Sequence, residues 1–229
     1  MKYEDFEKAL SPARLNKYLL ACAGNKTRAL QLYRLNIRLC QRFYGVLNVF
    51  EIVLRNAINV HYQHYFSDLD WIKSQLEAGG MLSIAPKRDE TTAIIKKLII
   101  DGKYSSDRVV SSLSLGFWTY LFTKYPFSKG GQSILAILPN KTKSLGQRTV
   151  YNDLMKIKKF RNRIAHHEPI CFDENGRINT AFAQDNYMLI IKYLCFLGFD
   201  NRHLLSGLDV SSKELFQKID EIADSCRLT

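Results

Sequence analysis

Paired cysteines are missing from this sequence. The five it has, at positions 22, 40, 171, 195 and 226, are scattered, odd in number and never spaced as C-x-x-C. That argues against a disulfide framework or a zinc site and fits reduced thiols in a cytoplasm. Long apolar runs are missing as well. No stretch approaches the about 18 apolar residues that a membrane span needs, so no transmembrane helix is expected. The opening "MKYEDFEKALS" lacks the apolar core of a secretory signal. Strand-like alternation is nearly absent, and there is no repeat and no low-complexity tract. These absences leave a soluble, cytoplasmic, all-α protein as the expectation.

What is present is enough for a packed core. The chain has 229 residues, 46% hydrophobic and 24% charged, a balance that excludes disorder over most of its length. Lysine and arginine number 33 against 22 acidic residues, for a net charge of +11. A surplus of that size favours polyanionic partners: RNA, DNA or an anionic membrane surface.

Read along its length, the chain is expected to form a single helical domain over residues 1–229. "SPARLNKYLLAC" offers Ser11 as a helix cap with Pro12 at the first helical position. A long helical pattern runs from Thr27 to about Phe66, with Gly45 as a candidate hinge. "WIKSQLEAGG", "RDETTAIIKKLIIDGKY" and "DRVVSSLSLGFWTYLFTKYP" each read as one further helix. Gly, Pro and Lys in "SKGGQSILAILPNKTKSLGQ" mark a linker or mobile loop at about 128–147. A helix follows from about Arg148 to His167, then an Asn-Gly turn in "CFDENGRIN" with the signature of a small hairpin. "TAFAQDNYMLIIKYLCFLG" is helical to Gly198, and Ser211 with Glu214 has capping-box spacing before the last helix.

Within residues 46–66, Asn48, Glu51, Arg55 and Asn59 fall on one narrow stripe of an otherwise apolar helix. Such a helix is expected to be largely buried, so Glu51 and Arg55, four apart, need partners and are each other's nearest. The structural reading is an ion pair that fixes helix register. The functional reading is a polar wall that orients groups elsewhere in the chain. Arg55-Asn56 followed by His61 also repeats, weakly, the pattern described next.

That pattern lies in "KKFRNRIAHHEP", residues 158–169. On a helical wheel Leu154, Ile157, Ile164 and Ala165 lie within about 60° of Arg161, which therefore faces the core side. Asn162 and His166 are i,i+4 neighbours on a face turned by about 100° to about 140° from it. One straight helix does not set Arg161 beside His166; a second copy across a two-fold axis would. The residue types suit cleavage of RNA by its own 2′-hydroxyl. Histidine can take or give a proton near neutrality, and arginine supplies fixed charge with a fork matched to phosphate. Lys156, Lys158, Lys159 and Arg163 add cations that would draw in an RNA backbone. No carboxylate cluster lies nearby, so no metal and no other cofactor is expected. The plainer reading is that His166 and His167 complement a helix C-terminus, that Pro169 stops the helix, and that Arg161 is a buried arginine paired with Glu51.

Arg161-Asn162-Arg163-Ile164-Ala165-His166 resembles the R-x4-6-H motif of HEPN-superfamily ribonucleases, in which a polar residue commonly follows the arginine. "LSPARLNKYL", "ALQLYRLNIRLCQRFYGVLNVFEIVLRNAI", "SSLSLGFWTYLF" and "FRNRIAHHEPI" resemble, in order, blocks of the Abi-like (AbiD/AbiF-type) abortive-infection branch. The resemblance covers about residues 10–170. It implies a HEPN-like helical bundle with additional N- and C-terminal helices, and a metal-independent endoribonuclease with a paired site in a homodimer. It further implies phage defence by abortive infection, or a toxin held by an RNA or protein antitoxin. Carried over by position, it makes Arg161, Asn162 and His166 catalytic, with His167 as an additional imidazole. The "E-I-x-L-R-N" block makes Glu51, Arg55 and Asn56 supporting residues. A non-catalytic RNA-binding or RNA-sensing module, and a structural interaction protein, are the alternatives from the residues themselves.

Overall fold

A computed structural model describes residues 3–208 and 212–227. Among these the chain forms twelve α-helices, one 3-10 helix and no strand, so the all-α expectation holds. In order the helices are α1 (Tyr3–Leu10), α2 (Pro12–Ala21), α3 (Lys26–Phe66), α4 (Trp71–Gln75), α5 (Arg88–Ile100), α6 (Ser106–Ser112), α7 (Leu115–Tyr120), α8 (Lys124–Lys129), α9 (Gln147–Ala165), α10 (Ala181–Phe196), α11 (Asn201–Leu204) and α12 (Ser212–Arg227). The chain divides into two compact units. One comprises Met1–Asn48, Lys159–Ile190 and Asn201–Thr229, the other Val49–Lys158 and Ile191–Asp200. Among the described residues no helix is long and apolar enough to cross a membrane.

The first unit packs on aromatic side chains. Phe43 meets Phe160 edge-on with ring centroids 5.1 Å apart, and Phe160 meets Phe182 at 5.6 Å. Tyr18 makes edge contacts with Tyr33 at 5.2 Å and Phe172 at 5.1 Å. Pairs of this geometry add about 0.5–1.5 kcal/mol beyond area burial, and they fix α2, α3 and the residues after α9 together. Helix α3 continues unbroken through Gly45, so no hinge forms there. A Cβ on that glycine would lie 3.4 Å from Leu208, which makes it a close-packing position instead. Pro12 opens α2 as expected, but Ser11 makes no side-chain cap. Its φ of 75° departs from the extended backbone that a capping hydroxyl requires. The Asn-Gly turn closes a minimal hairpin, with a single antiparallel bridge between Phe172 and Ile178. Ser211 lies outside the described residues, and Glu214 pairs with Lys218 one turn on.

In the second unit "DRVVSSLSLGFWTYLFTKYP" gives more than the one helix expected. Leu113 and Ser114 are extended, so α6 ends and α7 begins there. Residues 128–147 hold the 3-10 helix Ser133–Ile137, and Asn140 Nδ2 donates to the Cys195 carbonyl at 3.0 Å. Of the polar stripe, Asn59 is buried and accepts a hydrogen bond from Trp71 Nε1 at 2.8 Å. Glu51 and Arg55 are half-buried and Asn56 is exposed. Arg55 Nε is buried without a hydrogen-bond partner, so pairing with Glu51 does not satisfy that donor. Ile52 and Val60 reach solvent, so this stretch is less enclosed than its composition suggests.

Candidate functional site

Helix α9 stops at Ala165, two residues before the expected end, and the way it stops builds the site. His167 N–H donates to the Ile164 carbonyl at 3.1 Å, and Glu168 N–H reaches back to the Arg163 carbonyl at 2.8 Å. These are the two bonds of a Schellman motif with His167 at the position after the cap, where the chain must turn left-handed. His167 accordingly has φ 58°. Glycine is the usual residue there because a Cβ makes this backbone costly. Here the position carries an imidazole.

The turn is held from three sides. Arg14 Nη1 of α2 donates to the His167 carbonyl at 3.0 Å. Arg163 Nη2 donates to the Pro169 carbonyl at 2.6 Å, its Nε lies 3.5 Å from Glu168 Oε2, and its guanidinium sits 4.8 Å over the Phe182 ring. Asn36, only 4% exposed on α3, accepts the Ile170 N–H through Oδ1 at 2.9 Å. A buried amide with that geometry fixes where the chain re-enters the core.

Beside this turn is a cleft of about 700 Å³, lined from α1, α2, α3, the end of α9 and His167. Arg161, Ile164 and Ala165 line it, as expected of residues sharing one helix face. His167 lines it too, because the left-handed turn brings that residue back to the Arg161 side. The structure therefore places Arg161 and His167 on one cleft of one chain. His166 is exposed and is not among the lining residues. Its N–H closes the last helical bond to the Asn162 carbonyl at 2.9 Å, and Asn162 is half-buried. No aspartate or glutamate lines the cleft, whereas Arg14 and Arg161 contribute fixed positive charge. Cys40 also faces it. Burial raises the Cys40 thiol to about 11, against a smaller opposing effect of the Arg163 guanidinium. It stays protonated at neutral pH and is a poor nucleophile. Burial likewise pushes the Tyr18 phenol up, so it remains a neutral wall.

The cations of the basic run differ in their surroundings within each unit. Lys159 is exposed in the first unit, while Arg163 is engaged within the chain as described. In the second unit Lys156 is exposed and lies 3.4 Å from the buried Asp153, which also accepts from Tyr193 at 3.1 Å. Lys158 is half-buried and lies over Gly116 at the rim of a cavity of about 180 Å³. Two further clefts in the first unit are not lined by histidine. One of about 720 Å³ has Lys17, Arg177 and Arg227 but no histidine, and another is acidic, with Asp220, Glu221 and Asp224.

Arg14, Gln41 and Tyr44 are cleft residues that the motif does not single out. The signal for Tyr44 was present: Ile37 and Tyr44, seven apart, interrupt an otherwise polar stripe of Arg34, Arg38 and Gln41. Compared with protein-family models, curated proteins and solved structures, the chain matches none.

Proposed function

We propose that the chain is a metal-independent endoribonuclease of the HEPN type that cleaves RNA in the Arg161–His167 cleft. One observation carries this reading: a guanidinium and an imidazole share an open, acid-free cleft, and a strained backbone turn presents the imidazole. The net charge of +11 and the four ordered sequence blocks support it. In the reaction, the His167 imidazole takes the proton of a 2′-hydroxyl as that oxygen attacks the adjacent phosphorus. The P–O5′ bond breaks, a proton returns to the departing 5′-oxygen, and the products are a 2′,3′-cyclic phosphate and a 5′-hydroxyl. Arg161 stabilises the charge on the equatorial oxygens as the phosphorane forms. Asn162 anchors the last helical turn through its carbonyl, and His166 serves as a second exposed imidazole at the rim.

This reading includes a homodimer and a role in abortive infection or as a toxin countered by an antitoxin. It differs from the motif alone in assigning the main proton transfer to His167 instead of His166. The test is one set of reactions with labelled RNA and EDTA. His167→Ala and Arg161→Ala lose at least 100-fold in cleavage, a scale typical of acid–base and oxyanion groups; His166→Ala loses less, and RNA bearing 2′-O-methyl groups is not cut. Salt-sensitive RNA binding without new RNA ends would replace the nuclease with a non-catalytic RNA-binding module.

A further inference from the structure

From the same cleft we infer a subsite for one unpaired nucleobase beside the phosphate position, formed by Tyr44, Gln41 and Ile37 of α3. It rests on the ribonuclease reading and narrows the substrate to single-stranded or looped RNA. The three residues are spaced i, i+4 and i+7, so they stack along one face of the helix, and all three line the cleft. Tyr44 is 63% exposed and Ile37 39% exposed, although the neighbouring Leu39 and Phe43 are fully buried. The Tyr44 ring is therefore largely outside the core, and Ile37 is partly so. Gln41, exposed between them, offers an amide with both donors and an acceptor.

Together they give a flat π face, an apolar floor and a hydrogen-bonding head, which is the chemistry that holds a splayed-out base. The occupant is fixed by what else lines the cleft. Arg14 and Arg161 bring positive charge and no aspartate or glutamate is among the lining residues, so a ligand that joins an aromatic ring to a phosphodiester is complementary at both ends. An acidic peptide would complement the positive charge but leave the Tyr44 ring without a stacking partner. A base inside an A-form helix is already stacked on its neighbours and cannot also stack on Tyr44.

The experiment is binding by fluorescence anisotropy with an uncleavable 2′-O-methyl RNA, as a single strand and as a duplex of equal phosphate number, at fixed salt. Tyr44→Ala weakens the single strand by roughly tenfold, the scale of one lost base stack, and leaves the duplex unchanged. Tyr44→Phe restores the single-strand affinity, since the ring and not the hydroxyl is used. A melting temperature equal to that of the unaltered protein confirms that the exposed ring is not structural. If Tyr44→Ala leaves both affinities as they were, or lowers both equally, the subsite is refuted while the ribonuclease reading stands. If the unaltered protein binds neither RNA, the ribonuclease reading falls and the subsite with it.

Discussion

Replacing His167 by glycine separates folding from chemistry, because the two are expected to move in opposite directions. The left-handed backbone at φ 58° costs an L-residue about 1–2 kcal/mol. Glycine removes that cost but gives back about 0.5–1 kcal/mol through its freer unfolded chain. The net is a stabilisation of roughly 0.5–1 kcal/mol. His167→Ala keeps the Cβ and hence the strain, and is expected within about 0.5 kcal/mol of the starting protein. For a chain of this size, 1 kcal/mol corresponds to about 2–4 °C in Tm. The readout must follow the first unit. Both tryptophans, Trp71 and Trp118, are buried in the second, so their fluorescence is a control and not the signal. Amide exchange of peptides covering residues 159–172 reports the right place, with urea unfolding followed by circular dichroism beside it.

The expected result is slower exchange and a higher urea midpoint for His167→Gly, with RNA cleavage lost in both variants. Equal stability of the Gly and Ala variants would refute the strain argument. Full cleavage by His167→Gly would refute the role given to its imidazole. A mutation that strengthens the fold and abolishes the reaction is hard to explain by damage, which is why this pair is more informative than alanine alone.

Two further outcomes test the surroundings. Asn36→Leu fills similar volume but leaves the buried Ile170 N–H without its acceptor, and should cost about 1–3 kcal/mol; an unchanged urea midpoint would show that the amide is not what anchors the turn. His61, in the second unit, is held below its ordinary value by burial and, secondarily, by His64. The unfolded chain therefore binds more protons, so this residue's contribution is intact above about pH 6.5 and is lost as pH falls from there towards the folded value. His61→Gln keeps a donor for Ser133, which lies 2.9 Å from the ring nitrogen, and should flatten the loss of Tm between pH 7 and pH 5; an identical slope would assign the acid sensitivity elsewhere.

Helix content was legible because it depends on local periodicity, which a single sequence displays directly. The breaks were less so. Leu113-Ser114 carries neither Gly nor Pro, yet α6 ends there because Val109, Val110, Leu113 and Leu115 are all drawn into the core, and one straight helix does not point all four inward. Gly45 misled in the other direction, since a helical glycine marks close packing as readily as a bend.

At the site, the wheel placed Arg161, Ile164 and Ala165 on a common face, and the cleft uses that face. It does not extend to His167, because a wheel assumes 100° per residue and α9 ends at Ala165. The R-x4-H spacing singles out His166, which a continuing helix would turn by about 140° from Arg161 and which does not line the cleft. Once the backbone turns left-handed, one more residue is needed to come back to the Arg161 side, and that residue is His167. Nothing in "RIAHHEP" states the sign of φ, and the glycine that normally announces such a turn is missing. Ala23 after α2 and Ser67 after α3 take the same left-handed position with the same pair of closing bonds, so this chain ends helices there without glycine more than once. At His167 an Arg14 hydrogen bond, an Arg163 clamp and a buried Asn36 hold the costly conformation in place. Together these bonds anchor the turn and fix where the chain re-enters the core.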